Sequence, residues 1–361
     1  MSGSSLDGLD ISYCQYTTSE EHVNWELLQA ETIEYPQKWV TRLGKLPYQD
    51  ALVFAKTNTY FGHYLGELVN QFIHKHKIDP DFVSSHGHTI FHYPDKRITV
   101  QIGDGAALAA ITGLPVINDF RTQDIAIDGE GTPLAPAADR YLFPGHDFYM
   151  NIGGISNITC NINGRYIAFD ISPANQVLNF LAEQLDMDFD RDGEVARSGK
   201  MDEKLLAVLN DFDYFEKRYP KSLGNGWIRE TFIPTFIRFD SSWEDKLHTA
   251  TRQIAVQTAK SMQAICLKEG LSKSQYELFI TGGGALNCYL IECIQEETNK
   301  LGITTNIKLP SKSIIDFKEA ILMGLLGVLR VENRPNCFKS VTGARRDTIG
   351  GAIHQGYRKF L

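Results

Sequence analysis

The chain has 361 residues and a mass of 40.6 kDa, which suits two domains, each with a sizeable core. Hydrophobic residues make up 43% and charged residues 22%, a globular composition that excludes intrinsic disorder. The net charge of −8 removes the basic surplus that non-specific nucleic-acid binders carry. The longest strongly apolar run, Ala320 to Leu329, has ten residues, about half of what a membrane span needs. No basic-then-apolar leader opens the chain, so a cytoplasmic protein is expected, with neither membrane nor nucleic acid as partner. Cys14, Cys160, Cys266, Cys288, Cys293 and Cys337 form no CxxC pair, which predicts reduced thiols.

The first elements in chain order are a glycine-rich loop, Ser2–Gly8, and two β runs, Leu9–Thr17 and Leu27–Tyr35, joined by a polar hairpin connection. A helix is expected from Gln49 to Lys75 on the apolar positions Leu52, Phe54, Tyr60, Tyr64, Leu65 and Leu68. Phe82–Ser85 reads as a short strand ending at His86-Gly87. After the loop Gly103–Gly105, Asp104 caps an Ala-rich helix to Thr112 that Gly113 closes, and Val116–Asn118 is the next strand. The same grammar restarts at Tyr149–Ile152, which turns at Gly153-Gly154. Arg165–Phe169 returns to Asp170, and Ser172 and Pro173 supply an N-cap and first-turn proline for a helix through Leu185. Glu277–Ile280 is a strand, Gly282–Gly284 a loop and Cys288–Glu297 a helix. A last helix, Phe317–Val331, carries Gly324 and Gly327, which predicts a close helix–helix contact. Two α/β lobes, each with glycine loops, predict a nucleotide in a central cleft.

Several residues carry candidate chemistry. In MSGSSLDG, Gly3 lets backbone approach an anion, Ser4 and Ser5 offer hydroxyls, and Asp7 can hold Mg²⁺ through water. The Walker pattern is absent. Gly282, Gly283 and Gly284 in TGGGALN suit a nucleotide packed against bare backbone. Asp170 reads either as a general base at a strand end or as a capping aspartate. His86, His88 and His92 read as polar contacts in a substrate cleft, or as ordinary hydrogen-bonding residues, rather than a zinc site, because a glycine turn divides them. Arg121 either clamps an anion or pairs with Asp119 or Asp124. Asp316 and Glu319 have capping-box spacing.

Taken in order, MSGSSLDGLD, SHGHT, QIGD, NDFR, GEGTPLAP, NIGGISNIT, FDISPAN, DRDGEVARSGK, YPKSLG, FITGGGALN, KEA and SVTGA resemble the anhydro-N-acetylmuramic acid kinase family of the sugar-kinase/actin-like ATPase superfamily. The resemblance covers nearly the whole chain. It implies a two-lobed α/β fold of duplicated RNase H-like lobes, with residues 1–120 and 340–361 in one and 121–339 in the other. It also implies an ATP-dependent, Mg²⁺-requiring kinase that opens the 1,6-anhydro ring of 1,6-anhydro-N-acetylmuramic acid and phosphorylates O6, in peptidoglycan recycling. Under it Asp170 activates water. ATP is held by Gly3, Ser4, Ser5, Leu6, Asp7, Gly8, Leu9 and Asp10, with Gly153, Gly154, Gly282, Gly283, Gly284 and Asn287. The sugar is held by His86, Asp119, Arg121, Asn175 and Glu319. A homodimer is implied as well, as is a strand before the phosphate loop, where only Met1 precedes Ser2 in this sequence.

The chain departs from the family pattern at Ser4, His88, Glu130 and Thr132, and above all at Ile171, Ser172 and Ala174, which replace Thr, Gly and Gly beside Asp170. Those losses of backbone freedom bear on substrate preference. A non-catalytic nucleotide or muropeptide sensor, or a kinase for another sugar, are the alternatives at this point.

Overall fold

A computed structural model describes residues 1–361 except 4, 5, 7, 20, 21, 164 and 359–361. In chain order it contains β1 (Gly8–Thr18), β2 (Val23–Glu34), α1 (Gln37–Lys45), α2 (Ala51–His76), β3 (Val83–Ser85), β4 (His88–Tyr93), β5 (Ile98–Ile102), α3 (Gly105–Thr112) and β6 (Val116–Asn118). Next come α4 (Thr122–Ala126), α5 (Ala135–Tyr141), β7 (Phe148–Ile152), β8 (Ile155–Ile162), β9 (Arg165–Pro173) and α6 (Asn175–Glu183). Short helical turns then lead to α7 (Trp243–Glu269), β10 (Tyr276–Thr281), α8 (Cys288–Lys300), β11 (Thr305–Lys308), α9 (Lys312–Val331) and β12 (Ala352–His354). No helix among the described residues is long and apolar enough to cross a membrane.

The chain divides into a first unit, Met1–Pro144 with Phe317–Leu361, and a second, Gly145–Asp316. Residues 121–144 and 317–339, placed by sequence in the second lobe, therefore pack with the first unit. Side-chain contacts of α9 explain the later segment. A Cβ on Gly324 would lie 2.6 Å from the Tyr16 hydroxyl of β1, and one on Gly327 would lie 2.8 Å from Ser84 Oγ of β3. The two glycines thus admit strand side chains, not a second helix. Tyr16 donates its hydroxyl proton to the Ile321 carbonyl at 2.7 Å.

In the first unit β1 and β2 form an antiparallel hairpin whose pairing continues to Thr18 and Val23, one residue past the expected end of the first strand and four before the expected start of the second. The alternation Val23, Trp25, Leu27 supplies its inner face, and Trp25 Nε1 donates to the Leu142 carbonyl at 2.9 Å. β12, β6 and β3 form a second sheet, and β4 pairs with β5. Helix α2 buries Thr57, Phe61, Leu65, Leu68 and Phe72, a clean stripe of three- and four-residue steps. Leu52 and Tyr60, expected on that face, are exposed. Asp50 caps α2 through Val53 N–H at 2.8 Å, and Asp104 caps α3 through Ala107 N–H at 2.7 Å. The Gly103–Gly105 loop turns inward, with Gly103 N–H donating to Asn58 Oδ1 at 2.9 Å.

The second unit is built on a five-stranded sheet of order β11-β10-β7-β8-β9, in which β11, β10, β7 and β9 run one way and β8 runs the other. α7 runs against this sheet and buries Leu247, Ile254, Met262 and Ile265. Ladder pairing from Ile155–Pro173 onward keeps Ser172 inside β9, where its hydroxyl donates to Gln253 Oε1 at 2.9 Å. Ser172 is therefore not an N-cap, and Pro173 is not in the first turn. Helix α6 begins at Asn175, and the N–H groups of Ala174, Asn175 and Gln176 donate to the Gly153 and Gly154 carbonyls at 2.9–3.3 Å.

Candidate active site

Asp170 sits three residues before the end of β9, opposite Asn157. A second strand of contacts comes from residues 214–223. Asp170 N–H donates to the Lys221 carbonyl at 3.2 Å, and Leu223 N–H donates to Asp170 Oδ2 at 2.8 Å. The Tyr214 hydroxyl donates to the Asp170 carbonyl at 2.6 Å. Burial raises the Asp170 carboxyl above its ordinary value, and the Leu223 bond offsets part of that shift. Among the described residues Oδ1 accepts no hydrogen bond, so one carboxylate oxygen is fixed and the other is available. The bond it accepts comes from the loop at Leu223, not from the first turn of a helix. Tyr214 and the backbone of Lys221 and Leu223 escaped sequence reasoning as site residues; YPKSLG was the signal for the last two.

Beside β7, the Gly153-Gly154 turn and the Gly282–Gly284 loop lie next to one another. Asn175 Nδ2 donates to the Ile152 carbonyl at 3.1 Å, and a Cβ on Gly283 would meet only that same Nδ2, at 3.5 Å. Asn175 therefore stands between the two glycine turns. Asn287 caps α8, with Oδ1 accepting from Leu290 N–H at 2.9 Å. Bare backbone at Gly283, flanked by an amide side chain, fits a flat nucleotide group.

In the first unit, Ser4, Ser5 and Asp7 lie outside the described residues. Gly3 accepts from Leu6 N–H at 3.4 Å, and Gly8 begins β1, opposite Glu34. Leu9 is buried in the hydrophobic core, and Asp10 Oδ1 accepts from the Thr32 hydroxyl at 2.6 Å. Asp119, at φ +61°, accepts from Thr122 N–H at 3.2 Å and so holds the start of α4. Arg121 pairs with neither Asp119 nor Asp124. Asp124 is fully buried and committed elsewhere: Oδ1 accepts from the Thr342 hydroxyl at 2.9 Å and Oδ2 from Gly131 N–H at 2.8 Å. Asp124→Ala would strand both donors, so it should cost about 2–4 kcal/mol, read as a lowered urea midpoint at unchanged slope.

Burial brings the Arg121 guanidinium down to about 10, against the opposing pull of Glu319, and its buried Nε has no hydrogen-bond partner. His86 is 3% exposed and is held well below the usual histidine range by burial first, then by Arg121. It is neutral at pH 7. Glu319 and His86 are thus both electrostatic neighbours of Arg121. Glu319 does not cap: α9 starts at Lys312, and Asp316 forms an ion pair with Lys312 one turn back. His88 Nδ1 bonds to Ser2 Oγ at 3.0 Å and His92 Nδ1 to Thr99 Oγ1 at 3.2 Å. Gly87, at φ +67°, divides β3 from β4 and separates these histidines from His86 as a ligand row. Among the described residues no three His, Cys, Asp or Glu side chains are grouped to hold a metal ion.

The anhydro-N-acetylmuramic acid kinase family matches residues 1–356. An anhydro-N-acetylmuramic acid kinase of Sulfurovum sp. is 32% identical, with 98% of this chain and 97% of that protein covered. One from Shewanella amazonensis is 35% identical, with 98% and 96% covered. The activator of a 2-hydroxyisocaproyl-CoA dehydratase from Clostridium difficile, solved with ADPNP, superposes at a TM-score of 0.33 and 15% identity over 60% of this chain and 68% of its own. A superposition that loose carries no argument. The chain belongs to the anhydro-N-acetylmuramic acid kinase family, and it is accordingly a sugar kinase that uses ATP.

Proposed function

We propose that this chain uses ATP and water to convert 1,6-anhydro-N-acetylmuramic acid to N-acetylmuramic acid 6-phosphate in one process, with Asp170 as the base. The observation that carries the residue assignment is the Asp170 carboxyl, half-buried, raised in pKa and bonded through one oxygen only. Its free oxygen takes a proton from water as the water oxygen bonds to the anomeric carbon. The C1–O6 bond breaks with its electron pair on O6. That oxygen bonds to the γ-phosphorus while the bond to ADP breaks and its electrons leave with ADP. No covalent enzyme intermediate is needed.

Asn175 and the Gly282–Gly284 backbone hold the nucleotide in this reading, with Gly153 and Gly154 beside them, and the segment from Gly3 to Asp10 is the phosphate loop that the family resemblance implies. Mg²⁺ neutralises phosphate charge when bound. The Asp10 carboxylate offers the hard oxygen such an ion takes, and Asp7 is the second candidate. Arg121, Glu319 and His86 orient the sugar, and the protein works as a cytoplasmic homodimer. The test is turnover in oxygen-18 water followed by mass spectrometry. The expected product gains one phosphate and one heavy oxygen at the anomeric carbon; phosphorylation without the heavy oxygen would refute the coupled ring opening.

Arg121 yields a further prediction. Its desolvated guanidinium has an unmet donor, which a substrate oxygen satisfies on binding. Arg121→Ala should raise the sugar KM by about 10- to 100-fold, equivalent to about 1.4–2.8 kcal/mol, without lowering the melting temperature. Arg121→Lys should recover little, because an ammonium lacks the planar fork.

A further inference from the structure

The segment that meets Asp170, residues 217–224, belongs to no helix or strand. It follows a short helical turn, Asp213–Glu216. Among the described residues the backbone of 218–223 makes two hydrogen bonds, both with Asp170: the Lys221 carbonyl accepts from its N–H, and Leu223 N–H donates to its Oδ2. Six residues with two backbone bonds are held in place by their side chains or not at all.

Two side chains do this. Tyr219 stacks on Phe169, the neighbour of Asp170 in β9, with ring centroids 5.1 Å apart and planes within 4° of parallel. Its hydroxyl donates to Glu269 Oε1, at the end of α7, at 3.1 Å. Lys221 holds the rest. Its Nζ donates to the Tyr214 carbonyl at 3.2 Å and the Phe215 carbonyl at 3.5 Å, and lies 4.7 Å from the centre of the Tyr214 ring. Those oxygens close the Asp213–Glu216 turn, the place where a lysine bonds to a helix end.

An ammonium has three donors, and two carbonyls with one ring face engage this one. The charges facing it are Glu216, which favours the ammonium, and Lys217, which opposes it. Burial is the largest influence and lowers its pKa. Asp170 answers to other groups: burial and the Leu223 N–H act on its carboxyl, and Tyr214 is its titratable neighbour. Lys221 therefore reaches Asp170 through the backbone and not through its charge. The contacts close a ring. The Lys221 ammonium grips 214–215, the Tyr214 hydroxyl holds the Asp170 carbonyl, and Asp170 N–H returns to the Lys221 carbonyl.

We propose that Lys221 is a positioning residue for Asp170: its ammonium clips residues 221–223 to the 214–215 turn, which keeps Leu223 N–H on Oδ2 and leaves Oδ1 as the oxygen that takes the proton. The consequence for turnover rests on the reading of Asp170 as the base. The consequence for the carboxyl does not. Without the clip the ionised carboxylate loses the Leu223 donor that stabilises it, and its pKa rises further.

The experiment compares Lys221→Met, which keeps the stem and removes the donors, with Lys221→Arg, which keeps charge and donors, and with Asp170→Asn. The Asp170 carboxyl is titrated by carbon-13 NMR of labelled aspartate, assigned by its absence from Asp170→Asn, beside the pH profile of kcat. In Lys221→Met the titration and the acid limb of kcat should both move to higher pH. The plateau kcat should fall by about 10- to 100-fold, with the KM for ATP unchanged. Lys221→Arg should restore the parental titration. A lysine that only stabilises the fold would lower the melting temperature and leave the Asp170 titration where it is, and that result overturns the proposal. If Lys221→Met does not fold, Lys221→Gln is read by the same titration. Should Asp170→Asn keep its activity, the base reading fails, and the NMR titration alone sustains or overturns the positioning role.

Discussion

Asp170→Asn is expected to lower kcat by about 10²- to 10⁴-fold, with the KM for ATP little changed and the fold intact. The amide oxygen of asparagine still accepts the Leu223 N–H bond, and the Tyr214 and Lys221 contacts go to backbone atoms that the substitution leaves alone. What it removes is the capacity to take a proton. The pH dependence follows from the direction of the shift. The folded carboxyl titrates above the ordinary value of 3.8, so the wild-type rate falls as pH drops through that raised value. Stability moves the other way. The folded state holds the Asp170 proton more tightly than the unfolded state, so this group's contribution is most favourable at low pH. It declines as pH rises from 3.8 through the folded value. At pH 7 asparagine carries no such penalty, and the variant should unfold at the same or a higher urea concentration. A variant that lost activity and stability together would mark Asp170 as structural.

The second unit was largely legible in the sequence because its signals are local. Tyr149–Ile152, the glycine turn, the return strand to Asp170 and the TGGGALN loop between strand and helix each announce themselves within a few residues. Ser172 and Pro173 misled for an equally physical reason. A Ser-Pro pair has the chemistry of a helix start, but the β8–β9 ladder extends through it, and a buried partner on α7, Gln253, claims the hydroxyl. Asp316 and Glu319 have cap spacing, yet α9 begins four residues earlier with Lys312. The partners that define Asp170 come from positions 44 to 53 residues away. Spacing rules do not reach that far. The unmet Nε of Arg121 is likewise invisible in sequence, because Asp119 and Asp124 are near in the chain and only their own hydrogen bonds reveal that both are engaged elsewhere.

Gly282→Ala and Gly283→Ala should separate packing from ligand contact within one loop. At Gly282 the backbone has φ +83°, and an added Cβ would lie 2.6 Å from the Ile152 carbonyl oxygen and 2.7 Å from its carbon. Neither obstacle is a side chain that can turn aside. Backbone strain of about 1–2 kcal/mol at positive φ adds to an overpacking cost of about 1–3 kcal/mol. The melting transition should fall by about 5–15 °C, at roughly 2–4 °C per kcal/mol for a unit of this size, and activity should be lost at a correspondingly lower temperature. Gly283 is different. Its added Cβ would meet only Asn175 Nδ2, at 3.5 Å, an ordinary contact distance. Gly283→Ala should therefore melt within about 2 °C of the parent, since an unstrained change at an open position has a small effect. Its methyl group nevertheless projects toward Asn175, where the nucleotide is proposed to lie. The KM for ATP should rise several-fold while the sugar KM stays near its parent value. Parallel melting curves and ATP saturation curves of the two variants decide the matter. Normal ATP affinity in a well-folded Gly283→Ala enzyme would remove this loop from the nucleotide site and leave Gly282 and Gly284 explained by their close approach to Ile152.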